Sequence, residues 1–305
     1  MSTEGGKKAV IAALMANIGI AISKFIAFFF TGSSSMLSEA IHSVADSSNQ
    51  VLLLIGNKRS LKPADEKHPF GYGRRRFVYG FVVAVVLFLV GGLFSLYEGL
   101  HKWQHPEALS DWWIAVLVLA VAIVLETFSF RTALRETNKS RGKKSLARFV
   151  KDSRQPELPV ILLEDAGALC GLVFALIGVG MAVITGDGRW DAVGAMAVGT
   201  LLVVIAVFLA MEMATMLVGE SALPEEVEAI RAALEAAPLI ERVIHLRTMH
   251  VGPDELLVGA KVAIRGSETA AGIAAGIDGA ERALRAAVPT ARYIFIEPDM
   301  DRGPS

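Results

Sequence analysis

A chain in which apolar runs of about 20 residues recur has few folds open to it, because lipid offers backbone groups no hydrogen bonds and only helices or closed barrels cross it. Six such stretches follow one another here: Ala9 to Phe30, Met36 to Gly56, Phe77 to Leu100, Trp112 to Phe130, Leu158 to Ile184 and Ala192 to Leu217. Turn-forming segments separate them, including Thr31-Gly32-Ser33-Ser34 and Thr185-Gly186-Asp187-Gly188-Arg189. A mean hydropathy of +0.49 with 20% charged residues is too apolar for a soluble enzyme of 305 residues. The expectation is an all-α membrane domain of six spans over residues 1–219.

Charge placement sets the topology. Lys and Arg crowd the loop Asn57 to Arg76 and the stretch Arg131 to Arg154, whereas the other connections hold little more than Lys102 and Arg189. An even number of spans with this bias puts both termini in the cytoplasm. The segment Met1 to Lys8 lacks a secretory signal, so the first apolar run is expected to be retained. A net charge of −1 argues against nucleic acid as a partner, and the basic stretch reads more simply as a topology signal facing anionic lipid. Cys170 is the lone cysteine, so no intrachain disulfide forms.

Beyond Gly219 the composition changes to that of a small soluble domain, residues 220–305. Pro224 to Ala237 reads as a helix, Val243 to Val251 and Leu256 to Ile264 as strands around a Gly-Pro-Asp-Glu turn, Thr269 to Val288 as a second helix, and Ala291 to Glu297 as a third strand. The order is an α+β αββαβ unit. At fewer than ~90 residues such a unit gains from pairing with a copy of itself.

Ionisable groups inside the spans carry the chemistry, because intramembrane charge is costly. On the second span Glu39, His42, Asp46 and Asn49 fall along one helix side, with His42 and Asp46 a turn apart. A neutral imidazole and a carboxylate so placed offer ligands that Zn²⁺ accepts; the alternative is a His–Asp hydrogen bond between packed helices. The fifth span carries Glu164 and Asp165 side by side. Neighbours on a helix point about 100° apart, so one is expected to face the His42/Asp46 helix and the other a cavity or partner. Lys24 reads as the cation of an ion pair with an acid of the next helix, and Glu126 as a snorkelling acid paired with Arg131.

Taken together, Thr31-Gly32-Ser33 with Ser35 to Asp46, Pro63-Ala64-Asp65 with His68-Pro69-Phe70-Gly71-Tyr72-Gly73, and Leu163-Glu164-Asp165 make the chain resemble the cation diffusion facilitator family over nearly its whole length. The resemblance implies a homodimeric, six-span transporter that carries Zn²⁺ or a related divalent ion out of the cytosol in exchange for protons. It implies a transport site of His42, Asp46 and Asp165. Ile161 stands where a fourth ligand is usual, leaving water, Glu164 or a group from another helix to complete the set. This Leu-Leu-Glu-Asp version is similar to the branch that includes the animal mitochondrial zinc exporter. A weaker loop site is implied at Asp65 and His68, with Tyr72 in place of a second His. The terminal domain is implied to be chiefly a dimer scaffold: it offers His245, His250, Glu297 and Asp299, but Ala260 and Phe295 fall where ligands are expected.

The expected cargo is Zn²⁺, with Fe²⁺, Co²⁺ or Mn²⁺ as alternatives for a site of one imidazole and two carboxylates. No prosthetic group is expected. The rival reading is a membrane-anchored, metal-responsive receptor that does not transport; an exporter of organic cations is a third. No nucleophile–base pair or phosphate-binding Gly loop argues for an enzyme.

Overall fold

The computed structural model describes residues 3–106, 109, 111–155, 157–264 and 269–300. Met1 and Ser2, at the start expected to be retained, and Glu107 and Ala108, in the turn after the third apolar run, lie outside the described residues. The chain divides into two compact units, one joining the chain up to Asn57 with Val78–Met213, the other joining Lys58–Phe77 with the chain from Ala214.

The first unit is helical: α1 (Thr3–Thr31), α2 (Ser34–Ser60), α3 (Arg75–Val86), a π-helical turn at Leu87–Leu93, α4 (Phe94–Gln104), α5 (Trp112–Arg141), α6 (Leu146–Asp152), α7 (Glu157–Thr185) and α8 (Arg189–Val218). Among the described residues four helices are long and apolar enough to cross a membrane: Arg75–Gln104, Trp112–Lys139, Glu157–Thr185 and Arg189–Val218. Six runs were expected. The other two are helical but fall short of that measure: the apolar helix described in α1 is only Asn17–Thr31, and α2 is thick with Ser, Asn and charged side chains.

Polarity in this unit is reversed relative to a water-soluble fold. Phe128, Leu125, Val121 and Leu117 of α5 point outward, while Lys24, Glu39, His42, Asn49, Glu164 and Asp191 are buried. Two apolar clusters fill the space between helices, one around Leu87, Val160 and Leu202, the other around Met36, Leu119 and Leu172. Helices α7 and α8 cross backbone to backbone, since a Cβ on Gly178 would lie 3.0 Å from the Gly194 Cα.

The start of α2 is fixed by a residue far away in sequence. Gly32, at φ +62°, ends α1, and Ser33 Oγ accepts from the backbone N–H of Met36 as an N-cap. Asp191, in the first turn of α8, then accepts from Ser34 N at 2.7 Å, Ser35 N at 3.3 Å and Ser33 Oγ at 2.7 Å. Its own carbonyl accepts from Ser35 Oγ at 2.8 Å. A carboxylate suits a helix N-terminus, where amide donors and the helix dipole both favour negative charge. From α4, Lys102 Nζ donates to the Gly32 carbonyl and Glu98 accepts from Ser34 Oγ.

The second unit contains α9 (Pro224–Glu235), β1 (Ile240–Gly252), β2 (Glu255–Ile264), α10 (Ala270–Ala287) and β3 (Ala291–Asp299). The sheet order is β1-β2-β3. Strands β1 and β2 form an antiparallel hairpin closed at Gly252↔Glu255, and β2 pairs with β3 in parallel, which requires the α10 crossover. Ile230, Leu234, Val258, Val262, Ala280 and Leu284 form its core. The αββαβ order is the one read from sequence, with β1 starting three residues earlier, at Ile240.

Asp191→Ala leaves buried amide donors of α2 without an acceptor, a loss of about 1–3 kcal/mol for each such group. A thermal melt in detergent should show a clear fall in the midpoint for this variant; a midpoint equal to wild type would refute the role given to Asp191.

Candidate metal centre

The side of α2 read from helical spacing is buried. His42 is 1% exposed, and its Nε2 lies 3.5 Å from Asp46 Oδ2. Neither ring nitrogen completes a hydrogen bond among the described residues, and Asp46 Oδ1 also lacks one. A buried imidazole with no hydrogen bond is a group that gains from meeting a cation. The π-helical turn passes beside it: a Cβ on Gly91 would lie 3.9 Å from His42 Nδ1. Single π turns recur at functional sites. In the sequence the one signal for this turn is the Gly91-Gly92 pair inside an otherwise apolar run.

On α7 the two adjacent acids part company, as their helical angle requires. Glu164 is buried and its Oε1 accepts from Asn49 Nδ2 of α2 at 2.7 Å. Asp165 Oδ2 accepts from Ser129 Oγ of α5 at 2.9 Å. A small polar cleft is lined by Asn17 of α1, Asp46 and Gln50 of α2, Glu126 of α5, and Ile161, Glu164 and Asp165 of α7. Asp46 and Asp165 thus line one cleft and His42 touches Asp46, but no three His, Cys, Asp or Glu side chains among the described residues stand close enough to hold a metal ion together. Glu126 lines this cleft, and no ion pair joins it to Arg131 among the described residues. The nearest cation in sequence is not its partner.

Behind the cleft lies a buried ion pair. Lys24 Nζ of α1 meets Glu39 Oε2 at 3.0 Å and Ser43 Oγ at 2.8 Å, with both charged side chains fully shielded. Gly171 of α7 makes room for it, since a Cβ there would lie 2.7 Å from Glu39 Oε1.

The loop residues Asp65 and His68 are near each other, with His68 Nδ1 3.5 Å from Asp65 Oδ1. The carboxylate is already engaged: Oδ2 accepts from Lys62 Nζ and Tyr72 OH, each at 2.7 Å, and Oδ1 accepts from His68 N at 2.8 Å. Hydrogen bonds from Lys62 and Tyr72 hold the Asp65 carboxyl well below the usual carboxylate range. In the terminal domain His245 is exposed and opposite Lys261 in register, while His250 is buried. Glu297 and Asp299 both meet Lys261 Nζ, at 3.1 and 3.0 Å, which raises that ammonium above its usual pKa. Ala260 lies in the core and Phe295 is exposed.

Comparison with known proteins adds to this geometry. The family described as the cation efflux transmembrane domain matches residues 10–218. The mitochondrial proton-coupled zinc antiporter SLC30A9 of Mus musculus is 33% identical over 261 residues, covering 85% of this chain and 46% of that protein. Metal tolerance protein C4 of Arabidopsis thaliana is 24% identical over 87% of this chain and 59% of its own length. The manganese efflux system protein MneP of Bacillus subtilis is 24% identical over 82% of each. The chain therefore spans about half the length of the animal relative it matches.

The Asp65 network has a pH signature. Its folded-state pKa is depressed, so its contribution is present above the unfolded carboxylate value near ~3.9 and is lost only as pH falls below it. Amide protection over residues 62–72 should stay level from neutral pH to about pH 4 in wild type and be reduced throughout in Asp65→Asn. Loss of wild-type protection already at pH ~6 would contradict the network.

Proposed function

Because the chain belongs to the cation diffusion facilitator family, near its animal mitochondrial branch, we propose that it is a divalent-cation efflux transporter exchanging Zn²⁺ for protons by alternating access. It is an integral membrane protein of a family of transporters. In this reading α1 and α2 join the four apolar helices as spans, both termini face the cytoplasm, residues 1–219 form the transport domain, and residues 220–305 form the surface on which two copies pair.

The observation that carries the proposal is the His42–Asp46 pair on α2, whose buried imidazole makes no hydrogen bond among the described residues, at a cleft also lined by Asp165. Imidazole nitrogen and carboxylate oxygen are the ligands Zn²⁺ takes, and a site short of a full set suits an ion that must leave again. The ligands are not gathered in this structure, so binding draws α2 and α7 closer around the ion. Metal binding needs a neutral imidazole and ionised carboxylates, so protons compete for the same atoms, with His42 the natural proton carrier. Loading one cargo expels the other, which is the coupling an exchanger needs. Glu164 supports the site through Asn49. We give Asp65 and His68 a structural part in stapling their loop, since Lys62 and Tyr72 occupy the carboxylate.

The receptor reading draws on His245 and His250. It is disfavoured by Glu297 and Asp299, which face Lys261 and not an imidazole. Metal binding without flux would favour it.

In proteoliposomes, Asp46→Ala and Asp165→Ala should each cut Zn²⁺ flux by at least ~10-fold; either variant working at the wild-type rate sinks the site. Competition between Zn²⁺ and Mn²⁺, Co²⁺ or Fe²⁺ during uptake should favour Zn²⁺, and preference for Mn²⁺ would overturn the choice of cargo.

A further inference from the structure

Four carboxylates line the cleft: Asp46, Glu126, Glu164 and Asp165. Glu164 is tied to Asn49 at 2.7 Å, Asp165 to Ser129 at 2.9 Å, and Asp46 stands 3.5 Å from His42. Glu126 alone of the four makes no hydrogen bond or ion pair among the described residues. It is also the one charged residue between Trp112 and Phe130, in a helix otherwise built for lipid. An acid placed there without a partner is costly unless a cation comes to meet it.

Position ties Glu126 to the proposed ligands. Ser129 lies three residues further along α5, on the same helix side, and touches Asp165. Ile161, one turn before Asp165 on α7, lines the same cleft but has no donor atom. An independent sign that a cation belongs here is the buried imidazole of His42, whose nitrogens make no hydrogen bond among the described residues and whose Nε2 lies 3.5 Å from the cleft residue Asp46. We infer that Glu126 supplies the fourth protein ligand of the transported cation, from α5, in the place that α7 leaves to Ile161. The donor set then holds three carboxylates and one imidazole, harder than the His-rich sets that favour Zn²⁺ most strongly. Glu126 is thereby a determinant of which divalent ion is carried. This inference rests on the proposed transport site.

The test uses the purified full chain in detergent with Co²⁺ as probe, whose visible d–d band reports ligand number, and Zn²⁺ competition for affinity. Glu126→Gln should weaken Co²⁺ binding by ~10-fold or more and change the band. Glu136→Gln, at an exposed position of α5 where the acid pairs with Lys139, should leave band and affinity unchanged. Glu126→Asp, which keeps the carboxylate on a shorter arm, should retain binding with a shifted band, and it decides the matter if Glu126→Gln does not fold. A wild-type band and affinity in Glu126→Gln, or an unshifted band in Glu126→Asp, overturns the inference when Asp46→Asn abolishes binding. If Asp46→Asn itself binds like wild type, the transport site has failed and the inference falls with it.

Discussion

Burying a helix as polar as α2 inside an apolar bundle is the constraint on which the rest of the first unit depends. Each buried donor or acceptor without a partner costs about 1–3 kcal/mol, and an unpaired charge costs more. The neighbouring helices are therefore chosen for what they offer α2. Helix α8 offers Asp191 to its first amide groups, α1 offers Lys24 to Glu39 and Ser43, and α7 offers Glu164 to Asn49. Against that background the atoms left over stand out. Among the described residues those on α2 are Ser38 Oγ, Glu39 Oε1, Asn49 Oδ1, Asp46 Oδ1 and both ring nitrogens of His42, and the last three, on one His–Asp pair, offer a place for a cation.

The Lys24–Glu39 pair sets the electrical surroundings of that place. Fully buried, it leaves no net charge one turn from His42, and removal of either partner would strand the other at a cost of about 3–5 kcal/mol. Gly171 is part of the same arrangement, since a side chain there would collide with Glu39. The glycines of α7 are thus placed by two different demands, backbone crossing at Gly178 and a carboxylate at Gly171.

Local periodicity made much of this legible. The apolar runs, the αββαβ order and the His42/Asp46 spacing all follow from patterns within a few residues, and the divergence of Glu164 and Asp165 follows from the angle between helix neighbours. What could not be read is where a polar group finds its partner when that partner is far along the chain. Asp191 stands more than 150 residues from the serines it holds. Glu126 was matched to Arg131, its neighbour in sequence, because spacing says nothing of which helix lies across the cleft. Tyr72 looked like a lost ligand, whereas its hydroxyl is a donor to Asp65. For α2 the span measure fails for a related reason: a helix whose polar side faces inward does not look apolar by composition, whatever surrounds it.

The cap on α2 has a mechanical side. With Ser34 and Ser35 bound to Asp191, the helix is fastened at its first turn, and any tilt about that end would displace residues in proportion to their distance along it. At 1.5 Å per residue, His42 stands about 12 Å from Ser34 and Asp46 about 18 Å. A tilt of roughly 10° about that end would carry them some 2 Å and 3 Å sideways, on the order of the gap that separates a loose cleft from a coordination shell. Asp191 would make α2 a lever with His42 and Asp46, the proposed ligands, partway along its arm.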